Sequence, residues 1–242
     1  MRTALAAVML ASFASVAPAG SADGAASFDA RVSGAWRCMR AACRAAQQLP
    51  SAPAGKAPAL ERKAGQEVAK ALARWTAVAR DFEKTIPAGY AGDADWARRL
   101  RDVQLDLERM QLGIEREEWR SAVLSCSHAA GSLGTMHEAN GVTLAVDAVV
   151  SLRRKTGYLK GLLAARKTER VPSLVGAVLS ARDAVLLAPA PEGGRRRAYL
   201  EALSGLSRAT DSVADAARSG GDLWGAVDTL SDLVEEIYDL AI

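Results

Sequence analysis

Soft donors and proton-transfer groups are gathered in two short runs. Trp119 to Gly141, WRSAVLSCSHAAGSLGTMHEANG, carries both histidines, His128 and His137, together with Cys126 and Met136. Trp36 to Cys43, WRCMRAAC, carries Cys38, Met39 and Cys43, so the two runs hold every cysteine of the chain. Thiolate and thioether ligands select Cu(I) or zinc. Cys38, Met39, Cys43 and Cys126 are therefore a candidate soft-metal set. The same cysteines admit a second chemistry, a disulfide from Cys126 to Cys43 or Cys38.

Helix geometry limits what the second run can do. Cys126 and His137 share one face, but their spacing puts them ~16 Å apart along a regular helix. They can neither share a metal ion nor act as nucleophile and base unless Gly131 and Gly134 break the helix. His128 points to the opposite side from Cys126 and is expected at the surface.

The elements that position these residues are helical. The composition is half hydrophobic with only 5% aromatic residues, and the apolar half is rich in Ala and Leu, which favours helix over sheet. Phe28 to Leu49 reads as a first helix, with Arg37, Arg40 and Arg44 on a polar arc and Trp36, Met39 and Cys43 on an apolar one. Leu60, Ala64, Val68, Ala71, Trp75, Val78 and Phe82 mark a second. Trp96, Leu100, Val103, Leu107 and Met110 form the seam of a third, capped by Asp93 or Asp95 and broken at Gly113. The histidine-bearing run is the fourth, led by Glu115, Glu117 and Glu118 and ended by Asn140-Gly141. A fifth spans about Thr143 to Glu169. Pro172 opens a sixth, a seventh carries Leu203, Leu206 and Val213, and Asp222 caps the eighth.

These helices read as a copied unit. Ala79-Arg80-Asp81 matches Ala181-Arg182-Asp183, and Ile86-Pro87-Ala88 matches Ala188-Pro189-Ala190. In the fourth helix Val123, Cys126, Ala130, Leu133 and His137 fall on Val227, Leu230, Val234, Ile237 and Ala241 of the eighth. The later copy fills its seam with apolar side chains; the earlier one admits a thiol and an imidazole. The expectation is an all-α protein of two tandem antiparallel four-helix-bundle-like units, residues 23–140 and 141–242.

Residues 1–22 read as a signal peptide: Arg2, an apolar run from Ala4 to Ala17, and the small-x-small site Ala17-Pro18-Ala19. The apolar run is too short to span a bilayer comfortably. The mature chain is then expected in a periplasm or outside the cell, where disulfides form. Cys38 and Cys43 lie at the depth of Cys126 if the first and fourth helices run antiparallel. Cys43 is preferred as its partner, because its neighbours Trp36 and Met39 face the core. A Cys38–Cys43 bond within one helix would need Cα atoms closer than the helix allows.

An exported four-helix bundle with a cysteine in its fourth helix resembles the cytochrome c′ family. That family attaches haem through Cys-x-x-Cys-His. In the run Cys126-Ser127-His128-Ala129-Ala130 the first cysteine is matched, while Ala129 and Ala130 stand where the second cysteine and the ligand histidine would be. The resemblance covers residues 28–140 at the level of fold. The related b-type bundles bind haem non-covalently between a Met of the first helix and a His of the fourth, which here implies Met39 and His137, although Met39 lies about ten residues too deep along its helix to meet His137 across one haem.

Other function classes find little purchase. A formal net charge of +3 with interleaved signs does not point to nucleic acid. No His-Glu-x-x-His, phosphate loop or Gly-x-Ser-x-Gly is present. Glu117, Glu118, Glu235 and Glu236 read as a solvated face, Arg195-Arg196-Arg197 as a surface turn, and Tyr90 and Trp96 as core. The sequence thus describes a non-enzymatic binding or interaction module, holding a protein or small-molecule partner on its bundle faces or in an inter-bundle cleft and needing no cofactor. The alternative is a copper- or haem-binding protein using the first bundle.

Overall fold

A computed structural model of the chain describes residues 21–191 and 194–242, with side chains from Phe28 onward except Thr168. The apolar run and cleavage site of the signal expectation lie outside the described residues. Eight α-helices and no strand are found among the described residues: α1 (Ser21–Gln48), α2 (Ala57–Phe82), α3 (Trp96–Glu115), α4 (Trp119–Ala139), α5 (Ala145–Ala164), α6 (Val171–Leu187), α7 (Arg196–Ser219) and α8 (Leu223–Ala241). The all-α expectation holds. None of these helices is long and apolar enough to cross a membrane.

Helix contacts close into two rings. In the first half α1 packs on α2, α2 on α3, α3 on α4, and α4 returns to α1. In the second half α5, α6, α7 and α8 close the same cycle. The buried faces also recur. Trp96, Leu100, Val103, Leu107 and Met110 line the inside of α3, as Tyr199, Leu203, Leu206, Thr210 and Val213 line that of α7. In α2 and α6 the burial register pairs Val68, Trp75 and Val78 with Val171, Val178 and Ala181. That is one residue away from the register in which the Ala-Arg-Asp triplets coincide. Exposed Arg–Asp pairs are free to drift by one position; buried side chains are not.

Local signals account for several helix ends. Asn140 closes α4 and Gly141 takes φ +66°, a conformation that favours Gly. Gly220 ends α7 in the left-handed region at φ +72°. The Asp222 carboxylate accepts from the Gly225 N–H and caps α8, as its type predicts. Three expectations fail. Glu115 belongs to α3, and α4 has no acid in its first turn. Asp95 stands at the N-cap of α3 but makes no capping bond; instead Asp93 accepts from the Asp95 N–H.

Gly113 does not break α3, which continues to Glu115. Gly113 is instead a point of close approach between α3 and α4: a Cβ there would sit 2.9 Å from the Ala122 amide nitrogen. The backbone of α4 cannot yield as a flexible side chain would, so the register of the α3–α4 hairpin rests on this glycine. Gly113→Val should destabilise the protein by about 1–3 kcal/mol in urea unfolding. An unchanged midpoint would show that the hairpin has room to spare.

Candidate functional site: the seam and cleft between the two helix rings

Cys43 of α1 and Cys126 of α4 form a disulfide, with Cα atoms 6.1 Å apart. The preferred pairing holds, and it ties the two helices that close the first ring. Cys38 is the remaining cysteine and is buried. Its thiol faces Glu67, Lys70 and Arg74 of α2, and burial, opposed chiefly by Arg74, pushes it above the ordinary thiol range. Cys38 and the disulfide therefore lie on different sides of α1. With Cys43 and Cys126 joined, the set Cys38, Met39, Cys43 and Cys126 offers one thiol and one thioether. Among the described residues no three His, Cys, Asp or Glu side chains converge as a metal-binding group.

His137 and Met39 are both enclosed in the core. His137 does not cap helix carbonyls; its Nδ1 pairs at 2.8 Å with the Asp147 carboxylate of α5. The imidazole lies 6.4 Å from the Trp36 ring and 6.2 Å from that of Tyr90. Tyr90 donates to Asp29 at 2.9 Å, and Phe28, Tyr90 and Trp96 pack ring to ring at 5.1 Å. Burial raises the Asp29 carboxyl against the Tyr90 hydrogen bond and the nearby His137. This cluster joins α4 to α5 across the turn between the rings. Because α4 runs unbroken from Trp119 to Ala139, Cys126 and His137 stay apart on it, as the spacing requires.

The larger link between the halves was read in part as surface. Arg40 belongs to the polar arc of α1 in the sequence, yet it is 4% exposed. Its guanidinium pairs with Glu235, and with Asp239 at 3.1 Å, both of α8. Glu235 also pairs with Arg153 of α5, so it is not part of a solvated face. Arg44 adds a second partner for Asp239. Arg40 and Arg153 place guanidinium carbons 4.7 and 5.6 Å from the centroid of the Tyr238 ring, and the Tyr238 hydroxyl accepts from Trp36 Nε1 at 2.7 Å. Burial would raise the Glu235 carboxyl, but Arg153 and Arg40 outweigh it and hold it below the ordinary glutamate value. Its contribution is present above the unperturbed range and is lost as pH falls through the lowered one.

A cleft of about 660 Å³ opens beside this seam, between α3 and α4 on one wall and Val150, Arg153, Arg154 and Tyr238 on the other. Its charged lining is Arg98, Arg99, Arg109, Arg153 and Arg154 against Asp102 and Asp106. The ion pairs of the lining differ in depth. Arg109 is 65% exposed over an enclosed Asp106. Arg98 and Asp102 are both exposed, while Arg99 is itself largely buried and reaches the enclosed Asp93 at 2.8 Å. Ser127, Gly131, Ser132 and Thr135 keep the α4 wall low. His128, expected at the surface, is exposed there. Arg153 and Arg154 also line a second cleft of about 860 Å³ on the α1 side, where Asp232, Glu235, Glu236 and Asp239 balance the charge.

Sequence reasoning missed Asp29, Asp147, Arg40, Arg153 and Tyr238. The polarity of an arc says nothing of which neighbour covers it, and here the cover is the other half of the chain. Tyr90 and Trp96 are core, as expected, and Arg195, Arg196 and Arg197 are exposed. Comparison with family models, with curated proteins and with solved structures returns no match.

The disulfide makes a direct prediction. The denatured, unreduced protein should titrate one thiol, Cys38, and three after reduction. Replacing Cys43 and Cys126 together by Ser should cost about 2–4 kcal/mol of stability. Three thiols before reduction would contradict the pairing.

Proposed function

We propose that the mature chain is an exported, non-enzymatic binding module whose inter-bundle cleft takes an acidic segment of a partner protein. The observation that carries this reading is the charge of the cleft lining, five arginines against Asp102 and Asp106. Arginine is well suited to such a site, since its planar fork binds carboxylates in pairs. Arg154 has no ion pair among the described residues and is exposed, which leaves its donors available.

Three further observations support the reading. The disulfide suits an oxidising compartment, in keeping with the signal peptide expected at residues 1–22. The imidazole of His137 is enclosed and already engaged, so it is a poor candidate for chemistry on a substrate. The recurring burial pattern supports the two halves as copies of one unit, which places the cleft where two such units meet. A cofactor is not required by this function. The copper and haem alternatives draw no specific support: two of their four sulfur ligands are in the disulfide, and aromatic rings occupy the surroundings of His137.

A labelled polyglutamate peptide serves as the probe. It should bind the mature protein in anisotropy titrations, more weakly as salt rises. Arg98→Glu combined with Arg154→Glu should weaken binding by at least about tenfold with helicity unchanged. No binding at low salt, or binding indifferent to the charge reversal, would overturn the proposal.

A further inference from the structure

The helix surface that forms one wall of the cleft continues past it. Along α3 its lining runs through Arg98, Asp102, Leu105 and Arg109, a step of three or four residues that keeps one arc of the helix. Continued by one step, the same arc reaches Leu112. Along α4 the lining includes His128 and Gly131, and the same arc, followed back by one step, reaches Leu124. Leu105, Leu112 and Leu124 are 46%, 43% and 58% exposed, three large apolar side chains left uncovered on a two-helix surface.

Two contacts fix how these arcs lie. Ser132 donates to Asp106 at 3.3 Å, and Gly113 meets Ala122 at backbone distance. In this antiparallel register Leu112 stands one residue before Gly113 on α3 and Leu124 two residues after Ala122 on α4. The two leucines therefore lie at the same depth, on either side of the α3–α4 groove. Leu105 lies farther along it, at the level of Gly131 and Ser132. The result is a two-helix surface on which three exposed leucines lie among the cations Arg98 and Arg109. The acid on this arc, Asp102, is engaged by Arg98 at 3.5 Å.

We infer that the occupant of this groove is an amphipathic acidic helix of a partner protein, laid along α3 and α4 with its leucine-type face on Leu105, Leu112 and Leu124 and its carboxylates toward the arginines. This rests on the reading of the cleft as a site for an acidic segment and adds the form of that segment. A helix presents apolar side chains at three- and four-residue steps along one stripe and charge beside it, which is the complement of what the groove offers. An extended acidic chain would satisfy the arginines and leave the leucines in water. From Arg98 to Leu112 the arc spans ~21 Å, so the occupant needs roughly fourteen residues of helix.

Three probes separate the possibilities: a designed helical peptide with Leu at heptad spacing and Glu elsewhere, a proline-interrupted peptide of the same composition, and polyglutamate. The helical peptide should bind at least about tenfold more tightly than the other two. Leu112→Gln with Leu124→Gln, both at exposed sites, should abolish that advantage while leaving polyglutamate binding unchanged. Equal binding of all three would overturn the helix inference and leave the acidic-cleft reading standing. Binding of none would remove both. A dimer in sedimentation equilibrium that the two leucine substitutions dissociate would overturn it differently, by showing that a second copy of the chain covers the groove.

Discussion

Arg40 is a full charge withdrawn from water, and a buried guanidinium survives only with carboxylates at hand. Those carboxylates, Glu235 and Asp239, belong to the last helix of the chain, far from Arg40 in sequence. Desolvation of one side chain in α1 thus dictates where α8 must lie. The consequence extends outward. Glu235 brings in Arg153 of α5, and Tyr238 lies under both guanidinium groups while accepting a hydrogen bond from Trp36. The halves share one hydrophobic core, and these oriented polar contacts run beside it.

Apolar side chains close each ring of four helices and need little orientation to do so. The seam between rings needs particular donors and acceptors, and wherever it stops the walls fall away into clefts. The cleft on the α3–α4 side takes its arginines from two sources: Arg153 belongs to the seam, while Arg98, Arg99 and Arg109 belong to α3 and pair with Asp102, Asp93 and Asp106. The seam also carries a pH dependence, because Glu235 must be ionised for the knot to exist.

Much of this was legible in the chain and some was not. Helix periodicity found all eight helices because Ala-rich amphipathic segments show their buried face directly. Depth along two antiparallel helices leaves Cys38 and Cys43 as partners for Cys126, and the core-facing neighbours of Cys43 favour the pair that forms. The roles of Gly113 and Arg40 did not follow. Gly113 reads as a helix breaker in sequence, while in space it permits a close approach within an unbroken helix. Arg40 shares its arc with Arg37 and Arg44, which are exposed, and nothing in the local pattern singles out the one that α8 covers. His137 was recognised as core, but its partner Asp147 lies across the turn in the next helix, where one-helix reasoning does not reach.

The account turns on the claim that Arg40 and Glu235 act as one unit holding α8 to α1. A double-mutant cycle in urea, Arg40→Met and Glu235→Gln, reads that coupling directly. A coupling free energy of about 2 kcal/mol is expected. Additivity of the two single substitutions to within about 0.5 kcal/mol would mean that the pair is incidental and that something else holds the two rings together.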